Sequence, residues 1–140
     1  MGDGVVLSSS GARNMLPESY DPLDAPDPAE WLTLDEGERI LLVEQFHREA
    51  GLEVQDETLH ATVHVIVENQ IAEGVEPVVR TLTRLMREGL DRHDALHAIG
   101  CILAELLHGI ATGELTESVG AKYYSRVERL TAKRWLRGEW

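Results

Sequence analysis

Between residues 57 and 73, Leu59, Val63, Ile66, Val67 and Ile71 recur at helical spacing, and Gly74 stops the pattern. The same period runs through most of the chain. Upstream, Asp35 can cap a helix reaching about Glu49, with Ile40, Leu41, Val43 and Phe46 turned inward and Gly51 at its end. Downstream, Pro77 suits the first turn of a helix that buries Val78, Val79, Leu82, Leu85 and Met86 and stops at Gly89. Asp91 can cap a further helix continuing through Leu107 to about Gly109. A last one spans about Glu117 to Leu136, with Val119, Tyr123, Val127, Leu130 and Trp135 as its apolar side. No segment alternates with the two-residue period of a strand, and there is no internal repeat. The pattern predicts an all-α, single-domain bundle of four to five helices. The connections are short, so sequential helices should be antiparallel neighbours. The helices over 57–73 and 91–109 should then run parallel, with similar levels facing one another.

The N-terminal part breaks the pattern. Residues 1–16 are rich in Gly and Ser and predict disorder. Residues 17–28 hold four of the five prolines (Pro17, Pro22, Pro26 and Pro28) with Asp among them, which predicts an extended acidic arm. The division is therefore a disordered or extended acidic arm over 1–30 and a helical domain over 31–140. At 140 residues the chain can build one real core, and with few aromatics that core must be Leu, Val, Ile and Ala. No apolar run reaches the length of a membrane span, and no basic segment precedes an apolar one at the start. The lone Cys101 has no internal disulfide partner. The expectation is a cytoplasmic protein with no membrane partner.

Charge sharpens the exclusions. The net charge is −12, and residues 1–56 hold thirteen Asp and Glu against three Lys and Arg, whereas residues 57–140 hold twelve against ten. The one basic cluster, Lys122, Arg126, Arg129, Lys133, Arg134 and Arg137, predicts a solvated face that attracts the acidic segment. No nucleic-acid partner is expected.

The candidate chemistry lies in histidines. His60 and His64 form one i, i+4 pair, and His93 and His97 another, so each pair shares a helix face. The first lies on a stripe with Val63, Val67 and Ile71, the second on one with Leu96, Gly100, Ala104 and Leu107. Glu68 continues the first histidine row; Cys101 and Glu105 continue the second. Buried imidazoles need partners, at a cost of roughly 1–3 kcal/mol if they lack them. Four inward histidines on facing helices can find one in a divalent transition metal, zinc or iron first among those that neutral imidazole binds. Glu68 or Glu105 could add an oxygen ligand or orient a ring through its second nitrogen. His47 and His108 lack this spacing and read as surface or near-surface; Cys101 reads as a small core residue. Gly100, between the rows, gives up about 1 kcal/mol of helix propensity, which a helix tolerates where another group comes close.

The stretches LHATVHVIVENQ (59–70) and DRHDALHAIGCILAELL (91–107) resemble a bacterial family of small helical proteins of unknown function. Its members carry an HxxxH helix followed by Glu-x-Gln, then Arg-His-x-x-x-His-Ala. The resemblance covers about residues 57–108, with His60, His64, Glu68, Gln70, Arg92, His93 and His97 at the matching positions. It implies scope for a metal, and brings no activity with it.

Three functional readings stay open. One is a non-catalytic metal-binding protein with His60, His64, His93 and His97 as ligands. Another is a metalloenzyme with a mononuclear or dinuclear site that also uses Glu68 and Glu105. Ferritin-like sites use Glu-x-x-His, and Glu44-x-x-His47 and Glu57-x-x-His60 have that form, but Glu57 starts a helix and inward Glu are scarce. A His-Asp phosphohydrolase would need an Asp on a later helix than His93-Asp94, and no Asp follows Asp94. The third is a metal-free interaction module whose arm, residues 17–30, binds a protein partner with Trp31 as anchor. There is no Gly-rich phosphate loop after a strand, and no nucleophile with a base at motif spacing.

Overall fold

Capping residues set where the helices begin. The computed structural model describes residues 19–116 and 118–140, and its helices are α1 (Pro28–Thr33), α2 (Glu36–Glu49), α3 (Glu57–Ala72), α4 (Glu76–Arg87), α5 (Arg92–Ala111), α6 (Val119–Arg129) and α7 (Ala132–Leu136). The carboxylates of Asp27, Asp35, Asp56 and Asp91 accept first-turn amides at the heads of α1, α2, α3 and α5. At α2 the side chain of Glu38 returns to the Asp35 amide, completing a capping box. Gly51 and Gly74, at φ 73° and 74°, make the left-handed turns that end α2 and α3. No strand occurs among the described residues, so the all-α expectation stands. The disorder expected for residues 1–16 and the helix start expected near Glu117 lie outside the described residues.

The last expected helix is two. Leu130 is extended, and the Thr131 side chain accepts the Arg134 amide to start α7 afresh. Arg84 of α4 donates to the Glu128 and Leu130 carbonyls, and Glu88 accepts the Ala132 amide, so the break has its polar groups satisfied by α4.

α3 is the central element. From His60 to Ala72 none of its residues is exposed. Val63 and Val67 pack into a core with Val78 and Leu85 of α4, Ile99 and Ile102 of α5 and Val127 of α6. Ala61 and Val65 pack into a second cluster with Tyr20, Trp31, Leu34 and Val43. Three consecutive side chains tie α3 to its surroundings. Glu68 pairs with Arg92 of α5, the Asn69 carbonyl accepts from Trp31 and Arg39, and the Gln70 carbonyl accepts from Tyr123 of α6.

Several expectations need correction. Leu41, Leu59 and Met86 are 61%, 51% and 42% exposed. Leu41 lies two residues, about 200° of helix, from the buried Val43, so both cannot face the core. Residues 19–27 are not a free arm. Tyr20 and Pro22 are buried, helix begins at Pro28 rather than after residue 30, and Trp31, only 1% exposed, is a core residue rather than an anchor for a partner. The acidic and proline residues of this segment argued for solvation, yet its two large aromatic surfaces decide where it goes.

The α3–α5 contact is antiparallel, not parallel. His60 meets His97, His64 meets His93, and Glu68 meets Arg92, so position advances along one helix as it retreats along the other. Short loops bring helix ends together but do not align whole helices, and the intervening α4 packs more on α5 and α6 than on α3. α5 is, by length and composition, apolar enough to cross a bilayer; here it is a core helix, with Ala95, Ala98, Ile99 and Ile102 fully buried.

Candidate metal centre

Five histidines from three helices meet where the two apolar clusters adjoin. α3 supplies His60 and His64, α5 supplies His93 and His97, and α2 supplies His47. Ring nitrogens of His47, His60, His64 and His97 all lie within 4.8 Å of one another. The His47 and His60 ring centres are 4.7 Å apart, and His60 and His97 4.8 Å. His93 packs beside this set, 4.1 Å from the His97 ring and 5.2 Å from His47, without joining its convergent nitrogens.

The sequence pattern therefore picks out three of the four converging rings and misses His47, which is 4% exposed and not a surface residue. Pairing along one helix selects only histidines four residues apart, and the partners of His47 lie on other helices. The available signal was Val43, one turn earlier on the same inward stripe. His108 is exposed, as expected. Glu105 points away from the histidines, held at the surface by Arg126 at 3.0 Å and by the Trp140 indole. With Glu68 bound to Arg92, no carboxylate among the described residues joins the converging ring nitrogens as the dinuclear arrangement needs.

Hydrogen bonds fix where the ring protons sit. His47 Nδ1 is 2.8 Å from the Val43 carbonyl, which can only accept, so Nδ1 carries the proton and Nε2 has the lone pair. That Nε2 accepts from His60 Nε2 at 3.2 Å, so His60 would have to carry its proton on Nδ1 to offer the same nitrogen to a metal. His64 is set by a longer chain. Arg92 clamps the Glu68 carboxylate at 2.8 and 2.9 Å. Tyr20 donates its one hydroxyl proton to Glu68, so its oxygen is left to accept from His64 Nε2 at 2.7 Å. His64 must then carry its proton on Nε2 and a lone pair on Nδ1. That Nδ1 is buried and has no hydrogen-bond partner among the described residues, and the same is true of Nε2 on His93 and on His97. A backbone carbonyl behind one ring and a tyrosine–carboxylate pair behind another are the outer contacts that orient metal-ligating histidines. Arg92 also donates to the Pro22 carbonyl at 2.9 Å, tying the N-terminal segment to the same network.

The electrostatics disfavour charge on His60, His64, His93 and His97. Burial first, and the neighbouring histidines next, push His60, His64 and His97 below the ordinary histidine value, His97 to about 3. His93 is lowered by burial and His47, against the opposing pull of Asp91, Asp94 and Asp21. Burial and the Glu68 carboxylate raise the Tyr20 phenol, which therefore keeps its proton. The residues fit a metal ion: imidazoles, convergent ring nitrogens, and buried nitrogens with no other partner among the described residues.

A pH dependence follows for the metal-free protein. In the unfolded chain His60, His64, His93 and His97 take up protons near pH 6.5, in the folded chain only at lower pH. Stability is therefore full above about pH 6.5 and is lost as pH falls, a tenfold difference in proton affinity between the two states being worth about 1.4 kcal/mol. For His97 the loss extends down to about pH 3. Urea midpoints measured in chelator should fall steadily from about pH 7 to pH 4. A flat profile between pH 7 and pH 5 would contradict the buried neutral cluster.

Comparison with family models, curated proteins and solved structures finds no match to this chain.

Proposed function

We propose that this chain is a metal-binding helical protein that holds one divalent transition metal ion, zinc or iron, through His47, His60, His64 and His97. The observation that carries the reading is the convergence of four ring nitrogens from three helices within 4.8 Å. Two of these rings also have buried nitrogens that nothing else in the described fold satisfies. Ordinary core histidines would be expected to bond to carboxylates or carbonyls through both nitrogens. The reading takes the chain to be one of the small bacterial helical proteins that residues 57–108 resemble, with Glu68, Gln70 and Arg92 wiring the histidine helices to the fold. A cytoplasmic location belongs to the same proposal, in keeping with the single cysteine.

Elemental analysis tests it. Untagged protein expressed with zinc, iron, nickel and copper available should carry about one metal ion per chain. His47→Ala should lose most of it, and His108→Ala, at an exposed position, should lose none. Metal-free wild-type protein would overturn the proposal. Loss in His93→Ala with retention in His47→Ala would restore the ligand set read from the sequence.

A further inference from the structure

A cleft of about 420 Å³ opens onto one side of the histidine cluster, between α3, α5, α7 and the loop before α3. Its volume falls in the range of small-ligand sites, about 300–1,000 Å³. His60, His64 and His97 line it; His47 and His93 do not. The rest of its wall is mostly apolar: Leu59, Val63, Leu96, Ala104 and Trp135. Gly100 also lines it, and a Cβ there would stand 3.1 Å from Val63 Cγ1, so the glycine keeps α3 and α5 close at this level.

We infer that this cleft binds an apolar monocarboxylate, whose carboxylate meets the metal ion held by the histidines while its apolar body lies along α3 and α5. The inference rests on the metal reading above. Its first support is room. Four ligands closing a tetrahedron at metal–nitrogen distances of about 2.0–2.1 Å stand about 3.3 Å apart. The separations here extend to 4.8 Å, and three of the four rings face the cleft.

The second support is charge. Four neutral imidazoles leave both positive charges of a divalent ion uncompensated, in surroundings where such charge is costly. The nearest buried carboxylate, Glu68, is already neutralised by Arg92 at 2.8 and 2.9 Å. Among the described residues no Lys or Arg lines the cleft, so a bound metal ion would be the one full positive charge that an anion there meets. Its one acidic residue, Asp56, is exposed and caps α3 through the Leu59 amide.

Cobalt(II)-loaded protein supplies the test, since its visible spectrum reports on coordination. Benzoate should change that spectrum saturably. Acetate, which lacks the apolar body, and benzamide, which lacks the charge, should each bind about tenfold more weakly or worse, a difference of about 1.4 kcal/mol. Ala104→Phe narrows the cleft and should weaken benzoate by about tenfold while leaving acetate unchanged. Leu59→Trp, at a half-exposed wall position that tolerates bulk, should have the same effect and serves if the first variant folds poorly. Cobalt bound with no response to benzoate overturns the cleft proposal and leaves the metal reading intact. So does equal affinity for acetate and benzoate, or for benzamide and benzoate. Failure to bind cobalt removes the metal reading, and the cleft proposal with it.

Discussion

A chelator at neutral pH should lower the melting temperature of the metal-loaded protein by on the order of 10 °C. An ion that binds only the folded chain stabilises it by about 4 kcal/mol when present at about a thousand times its dissociation constant. For a chain of this size each kcal/mol moves the midpoint by about 2–4 °C. The ion joins α2, α3 and α5, so its removal should be felt by the whole fold rather than by one loop. Combining His60→Ala with His97→Ala takes a ligand from α3 and another from α5 and should abolish the response. Protons compete for the same nitrogens, so the chelator effect should shrink as pH falls through the histidine range. Identical melting of metal-treated protein with and without chelator, by calorimetry or circular dichroism, would sink the idea.

The second large effect belongs to Arg92. Arg92→Ala should cost about 3–5 kcal/mol, because it leaves a carboxylate buried without its cation. Glu68 is only 1% exposed and Arg92 5%, so water cannot take the place of the missing partner. The planar guanidinium makes two parallel bonds to Glu68 and a third to the Pro22 carbonyl, a pattern no lysine can reproduce. Replacing both members by apolar residues of similar volume, Glu68→Leu with Arg92→Met, should cost far less than the sum of the single changes, since no charge is then stranded. Urea unfolding with an unchanged slope is the measurement. Additive single and double variants would show that the pair is not acting as a pair.

How much of this could be read from the sequence depended on whether the cause was local. Asp35 and Asp91 cap helices at the positions their spacing to the apolar runs suggested, because a cap is a contact over three residues. The i, i+4 histidine pairs were legible for the same reason. What depended on packing was not. His47 is isolated in sequence and becomes part of the cluster only because α2 lies on α3. The antiparallel sense of α3 and α5 follows from how α4 seats itself, which its own residues do not state. Tyr20 reaches His64 across 44 positions of chain, and composition around it pointed toward solvent. Glu105 showed the opposite error: its place on the histidine row was right, but four residues beyond Cys101 that row has already left the interior for Arg126 and Trp140.

Glu68, Asn69 and Gln70 reach three different neighbours from successive positions of one helix turn. On a helix that lies against a single surface, permissive and demanding positions alternate with the turn, and drift in sequence collects on the free side. This level of α3 has no free side. Three adjacent codons are each answerable to a different partner, in α5, in α1 and α2, and in α6. Acceptable change here must come in concert with a distant site rather than singly, so this short stretch should evolve as a block, slowly, while the caps and surface positions around it wander.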